Sequence, residues 1–429
     1  MINKTGNMKK SIDLKSLILL VPFLLIPIFG SLALGFILSV AIFLSFYFII
    51  KKGRNNTSTT STAFKTIGLI FISYFTYYTV QGFFFSSNFL QHIHDIGKIF
   101  PILVIGVLAL LLKTNTYKIN YKMLSLVATI SIYLTSVLAL IFRFFPPDLI
   151  ISGQSFTQKT GVLTRLEMGT GNAIPFGTIF ITFAFLTCLG YERKSTLERM
   201  ISFSALILGI LIVAFWNGSR GPLLLVAPLM FLMFWYLIKN SKSENTWRPL
   251  ILGSIVIALI AISFVIMQSF GHPMLNSMVN GLKEVIYSGS GADESVNIRL
   301  TLYEGGFKAF ISKPIFGYGI SNLLESITQF FPKDVYFGYS HLHNMFLNHL
   351  IAGGLVGFPF FFMLATSPLF ILWQKRDTIS INGVYLSFLI VIAIFGAGIS
   401  NVLFFHDLLS GFFSVLILIA VIASDTQEN

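Results

Sequence analysis

Five short stretches of this 429-residue chain hold side chains able to handle an anion or a proton. Gly218-Ser219-Arg220-Gly221 is a tight turn between two apolar runs, and no acidic residue lies within twenty positions of Arg220. A guanidinium there either anchors a helix end by snorkelling or, beside a helix N-terminus, forms a fork suited to phosphate. Asn297-Ile298-Arg299-Leu300 opens a helical pattern with Glu304 on the next turn, which taken alone reads as an i,i+5 surface charge pair or a solvated face. Ser340-His341-Leu342-His343-Asn344 carries two histidines two residues apart, a spacing that shares one face in an extended segment but not in a helix. A metal site there is weak, because no Cys is near and Asp334 is the single nearby carboxylate. One histidine acting as a general base is simpler chemistry, since its reference pKa is about 6.5. A bland interfacial histidine is an equally open reading.

The other two places, His92-Ile93-His94-Asp95 and His406-Asp407, read as polar loop residues at headgroup level. Arg143 and Arg165 flank or occupy a segment that ends Glu167-Met168-Gly169-Thr170-Gly171-Asn172. Its glycines permit close backbone approach to a ligand, while Asn172 is equally a plain N-cap for the helix that follows. No Walker motif, dinucleotide fingerprint or HExxH is present. The single cysteine, Cys188, lies in an apolar run, so there is neither a disulfide framework nor a Cys-based metal site.

The elements that must position these residues follow from composition. Hydrophobic residues make up 55% of the chain and charged residues 11%, where a soluble domain carries about 25% charged. That excludes a soluble enzyme, and 46 Phe with 15 Tyr exclude intrinsic disorder. A hydrocarbon core roughly 30 Å thick needs about 20 apolar residues in a helix. Apolar runs bounded by charge predict twelve spans, near 16–30, 31–50, 66–85, 98–113, 123–142, 173–190, 200–215, 222–238, 249–268, 345–373, 382–400 and 408–424. The first two are split only by Gly30-Ser31 and read as a tight hairpin or one kinked span. The N-terminal apolar stretch reads as a retained anchor, since no small-residue cleavage site follows its lysines. The chain is expected to be an all-α polytopic membrane protein.

Of the 29 Lys and Arg, 19 fall on one side of this topology if the N-terminus is inside, and five of the others sit in one long loop with little topogenic force. Both termini are therefore expected in the cytoplasm. The net charge of +12 is mostly this positive-inside bias and does not imply a nucleic-acid partner. The outer face then carries a loop of about 30 residues (143–172) and one of about 75 (269–344). The longer is expected to be partly helical, because Leu300, Leu302, Tyr303, Phe307, Phe310 and Ile311 recur at helical spacing. Three units follow: a transmembrane bundle over 1–268, the large loop over 269–344 and a second bundle over 345–429. Any chemistry faces outward.

Three of the polar stretches, taken in order, resemble the bacterial O-antigen ligase and O-antigen polymerase superfamily, multi-spanning glycosyltransferases that use undecaprenyl-diphosphate-linked sugars. His343-Asn344 is followed after nine residues by Gly354-Leu355-Val356-Gly357, which is similar to the ligase pattern of His-Asn, nine residues, Gly-x-x-Gly. Ser219-Arg220-Gly221 sits in a short outer turn, and Arg299 opens a loop helix followed by Lys313-Pro314-Ile315-Phe316-Gly317-Tyr318-Gly319. The resemblance covers the chain in outline and implies a GT-C-like membrane enzyme with a periplasmic active site in the bacterial inner membrane. It implies that His343 is the general base toward the acceptor hydroxyl. Arg220 and Arg299 would hold the donor diphosphate and stabilise the leaving group, with Ser219, Asn344 and His341 beside the substrates. His341 carries no assigned role in the resemblance. No metal and no cofactor are implied.

The reaction implied is inverting transfer of glycan to the lipid A-core, the ligase reaction. The same arginines would serve a polymerase that extends lipid-linked repeats or an exopolysaccharide, and the His-Asn spacing favours the ligase modestly. A flippase for the same lipids is a competing reading. It would be expected to show charges within spans and broken helices at corresponding places in two halves, whereas the spans here are nearly free of charge.

Overall fold

The computed structural model describes residues 14–52, 61–112, 119–144, 150–151, 154–155, 157–160, 163–168, 170, 172–217, 219–240, 294–331 and 341–425. Apolar helices occupy eleven of the twelve expected positions, and the expected span at 249–268 lies outside the described residues. Nine stretches among the described residues are long and apolar enough to cross a membrane, and Leu19–Phe29 and Ala173–Leu186 are shorter apolar helices. The protein is a polytopic α-helical membrane protein. Two small antiparallel hairpins, β1 (Ile150–Ile151) with β2 (Gln154–Ser155) and β3 (Thr157–Thr160) with β4 (Leu163–Leu166), precede the sixth helix.

Helices α1 (Leu14–Phe29) and α2 (Ser31–Lys52) pack on each other across Gly30, whose φ of +47° makes the turn. Of the two readings left open by the sequence, the tight hairpin is the one found. Helices α3 (Thr62–Phe85) and α4 (Phe89–Leu111) follow, joined by a short turn, then α5 (Tyr121–Phe144). The centre is built from α6 (Ala173–Leu186) and the last helix, Asp407–Asp425, both buried along almost their whole length. At 1.5 Å per residue the 14 residues of α6 rise roughly 21 Å, too short to span by themselves. Burial inside the bundle, not lipid contact, explains their unbroken apolar character. Phe23, Phe183 and Phe412 stack at centroid separations of 4.9 to 6.0 Å and tie α1 to both central helices. Peripheral helices instead expose Phe43, Phe46, Phe84 and Phe231, as lipid-facing surfaces do.

Helix α7 (Thr196–Ile212) starts with a capping box, Ser195 with Glu198, and ends in a π-turn at Val213–Asn217. A one-turn helix α8 (Arg220–Leu223) leads into α9 (Val226–Asn240). The long loop contributes α10 (Glu294–Ser312) and α11 (Leu323–Thr328). Helices α12 (Met345–Gln374), α13 (Ile381–Gly398) and α14 (Asp407–Asp425) complete the chain.

Helix α12 is broken at Gly354, where φ is 61° and ψ is −165°, a region essentially restricted to glycine. The break opens two helical bonds, those that would run from Leu355 N to Ile351 O and from Val356 N to Ala352 O. Segment 314–319 inserts into the gap and satisfies all four groups. Leu355 N donates to Pro314 O (2.8 Å), Val356 N to Ile315 O (3.1 Å), Tyr318 N to Ile351 O (2.8 Å) and Gly319 N to Ala352 O (2.9 Å). From α3, Gln81 Nε2 donates to Ala352 O (2.6 Å) and Phe316 O (2.8 Å), and Tyr77 Oη to Gly353 O (2.7 Å). Unsatisfied, each buried group would cost about 1–3 kcal/mol. The broken helix thus clamps the long loop to the bundle.

Candidate active site

The first wall of the site is the α7–α9 turn. Asn217 is buried in the π-turn and its Nδ2 donates to Leu166 O (3.0 Å) and Ala173 O (2.6 Å), fixing the turn against the hairpin segment and the start of α6. Asn172 caps α6, its Oδ1 accepting from Ile174 N (2.9 Å). A π-turn is a frequent marker of functional positions, and Ser219 lies two residues beyond its end. Ser219 is 5% exposed, and Arg220 opens α8. A side chain on Gly221 would overlap Ser400 Oγ, so this glycine lets the turn lie against the connection between α13 and α14. Ser219 Oγ, Ser400 Oγ and Asn401 Nδ2 are buried with no hydrogen-bond partner among the described residues. Buried polar groups are normally satisfied, so three such groups around one turn make a place suited to a polar ligand.

The second wall is α10 with the start of α12. Gly306 on α10 packs against Leu342, Leu347 and Ile351, where a Cβ would meet Leu347 Cδ2 at 2.9 Å and Ile351 Cδ1 at 3.1 Å. About two turns earlier, Arg299 lies half-buried. Tyr303 Oη lies within 3.3 Å of His343 O and 3.4 Å of Ile399 O, at donating geometry to both. This phenol joins α10, the histidine segment and the α13 end. Glu304 pairs with Lys308 at 2.7 Å and not with Arg299, so the solvated-face reading holds for the glutamate alone.

Asn344 is the N-cap of α12, its Oδ1 accepting from Leu347 N (3.0 Å), and Asn348 Nδ2 donates to Asn344 O (2.7 Å). His343 has φ of +54°, one of two non-glycine residues with positive φ among those described. Left-handed backbone in a bulky residue is a strained state found where surroundings enforce it. The consequence is geometric: the rings of His341 and His343 come to 4.4 Å between centroids, tilted by 59°. The two rings meet as the spacing suggested, but through a left-handed residue and not a plain extended strand. Burial, with the charge of Arg299 added, pushes the His343 pKa down to about 4. Burial, with His343, His406 and Lys98 nearby, lowers that of His341 to about 3. Both rings are neutral at pH 7.

The structure therefore gathers Ser219 and Gly221 of one turn, Tyr303 and Arg299 of the loop helix, and His341, His343 and Asn344 at one end of the bundle. Arg220 shares that turn. Ser400, Asn401 and Tyr303 were not among the expected site residues. Their signal was a polar Ser-Asn pair closing an apolar span on the same side as the other motifs. His92 and Asp95 were read as loop residues, yet α4 begins at Phe89 and both are buried on its first turns. His92 bonds to Thr79 O (3.1 Å) and Ser321 Oγ (3.2 Å). Polar residues hid a helix start that only packing against α3 reveals. No group of three or more His, Cys, Asp or Glu able to hold a metal ion occurs among the described residues.

Residues 203–362 match the family described as O-Antigen ligase. The matched stretch runs from α7 through the α8 turn, the loop helix and the histidine segment to the broken part of α12, and so contains Arg220, Arg299 and His343. No curated protein matches the chain.

Proposed function

We propose that this chain, whose residues 203–362 match the O-antigen ligase family, is a ligase of that kind. It would transfer glycan from undecaprenyl diphosphate to a hydroxyl of the lipid A-core. The observation that carries the reading is the convergence of the Arg220 turn, Arg299 and His343, three motifs scattered over 124 positions of sequence, at one end of a membrane bundle. That end is assigned to the periplasm by the distribution of Lys and Arg, with the protein in the bacterial inner membrane.

In this mechanism the acceptor hydroxyl gives its proton to a ring nitrogen of neutral His343 as its oxygen attacks the anomeric carbon. The carbon–oxygen bond to the diphosphate breaks, and the electron pair leaves with the undecaprenyl diphosphate. A single displacement inverts the anomeric configuration. Arg220 and Arg299 stabilise the charge that grows on the leaving group, the role of preorganised donors aimed at developing charge. The hydroxyls of Ser219 and Ser400 and the Asn401 amide supply neutral donors to the same diphosphate. A bound diphosphate would offset the charge of Arg299 and raise the basicity of His343 when the base is needed. Glycan-polymerase chemistry uses the same donor site and differs in the acceptor.

The test is a lipopolysaccharide gel of the source bacterium lacking this gene, complemented with wild type or His343→Ala. A ligase leaves bare core in the deletion, long chains on the carrier, and no rescue by the variant. Core bearing one repeat unit would make the chain a polymerase. Rescue by His343→Ala would remove the general-base assignment.

A further inference from the structure

Beside His341 lies a cavity of about 290 Å³ whose polar lining is Gln91, Asp95, Lys98, Ser321 and His341. That volume is near the lower end of small-molecule sites, roughly 300–1,000 Å³. Its remaining wall is apolar and includes Leu324 and Phe405. Four parts of the chain build it: the first turns of α4, the loop segment that ends in α11, the histidine segment before α12, and the α13–α14 connection.

The polar groups are held in place. Asp95 is 6% exposed, and its Oδ1 accepts from Lys98 Nζ (2.6 Å) while Oδ2 accepts from Gln91 Nε2 (3.0 Å). Ser321 is anchored by the buried His92 ring at 3.2 Å. Asn322, the next residue, fixes the segment to the α3–α4 turn: its Nδ2 donates to Phe85 O (2.5 Å) and its Oδ1 accepts from Ser87 Oγ (2.9 Å). A carboxylate, an ammonium, an amide, a hydroxyl and an imidazole facing an aromatic and aliphatic wall match the two surfaces of a sugar ring, its hydroxyls and its C–H face. The buried Asp95 carboxylate disfavours a second diphosphate here.

We propose that this cavity is the acceptor-sugar site, in which the sugar that receives the glycan rests on Asp95, Lys98 and Gln91 and reaches His343 past the His341 ring. The inference rests on the transferase reading above and adds to it where the acceptor binds. His341, 4.4 Å from His343 between ring centroids, forms the partition between this cavity and the base. As a positioning residue it presents the acceptor hydroxyl without itself taking the proton.

The test uses the full chain in detergent and two probes, deacylated lipid A-core oligosaccharide and the free repeat-unit oligosaccharide, titrated by calorimetry. One of the two binds wild type, and the core probe is expected. Asp95→Asn with Lys98→Met weakens that binding at least tenfold, and so does Leu324→Trp, which fills the cavity without touching the ion pair. Arg376→Ala, altering a largely exposed residue beyond the far end of α12, leaves it unchanged. In a transfer assay the same variants raise the acceptor KM at least tenfold and leave the donor KM as in wild type. Equal affinity in wild type and cavity variants overturns the proposal, as does failure of both probes to bind wild type. So does a parallel change of donor and acceptor KM, which marks a structural role. Cavity-dependent binding without any transfer by wild type leaves the site standing and refutes the transferase reading. Preference for the repeat-unit probe keeps the site and turns the reading to a polymerase.

Discussion

Replacing Gly354 by alanine tests how the broken helix holds the long loop. At φ 61° and ψ −165° a Cβ would overlap Ile315 O and lie 2.7 Å from Gly317 N, both backbone atoms that no rotamer change can move. Keeping the kink costs about 1–3 kcal/mol in backbone strain before the overlap is counted. The alternative is to straighten α12 and close its own Ile351–Leu355 and Ala352–Val356 bonds. That forfeits the four bonds to segment 314–319 and regains two, a net loss near 2 kcal/mol at about 1 kcal/mol each. Either route destabilises by about 2–4 kcal/mol, and the second releases the segment that follows α10. Gly357→Ala is a milder comparison: its Cβ would meet Tyr77 Cε1 at 2.5 Å, a side chain that can shift at the expense of its bond to Gly353 O while the backbone of segment 314–319 stays in place, for about 1–3 kcal/mol. Thermal unfolding in detergent gives the stability, and hydrogen exchange at the Tyr318 and Gly319 amides reports the clamp. Gly354→Ala should speed both amides and cut sugar transfer at least tenfold while the protein still inserts. Wild-type protection at Tyr318 and Gly319 with an unchanged midpoint would refute the reasoning.

The remaining predictions concern protons, a buried cation and metal independence. His343 takes its proton near pH 4 in the fold and near 6.5 when unfolded, so the acidic limb of kcat/KM should lie near pH 4, and a limb at 6.5 would contradict the site. Between those values the unfolded state binds more protons, so the contribution of His343 is fully present above pH 6.5 and is lost as pH falls through about 4. NMR titration in Arg299→Met should move the His343 pKa upward, because one of its two depressing causes is gone. At the opposite end of the bundle, Lys194 donates to Ser125 Oγ (2.6 Å), Thr187 O (2.5 Å) and Ser202 Oγ (2.8 Å), and burial lowers its pKa to about 8. Lys194→Met should cost about 1–3 kcal/mol in unfolding experiments by leaving those acceptors short of a donor, with kcat preserved. Transfer by the purified protein should be undiminished in EDTA, and loss of activity there would call for a metal.

Sequence alone determined the solvent. Eleven apolar runs identified as spans are helices in the structure because a chain in hydrocarbon must satisfy its backbone internally, and twenty apolar residues leave few other solutions. The candidate motifs were legible for other reasons: Arg220 is a charge where polarity is costly, while Arg299 and His343 stood out through the resemblance to a known family. What sequence could not yield was who touches whom. Nothing in the spacing says that His343 turns left-handed to bring its ring to His341, since that φ is imposed by the capped start of α12. Gly354 was visible in sequence only as part of the Gly-x-x-Gly pattern, and the helix breaks there because segment 314–319 arrives from outside the helix to take up four backbone groups. His92 and Asp95 looked like headgroup residues because an amphipathic helix start and a polar loop have the same composition. Only the packing of α4 against α3 and the Ser321 segment turns them inward. Composition and periodicity act within one element, while contacts between Gly221 and Ser400, or between Tyr303 and Ile399, join residues separated by many spans. Those contacts exist only once the bundle has closed.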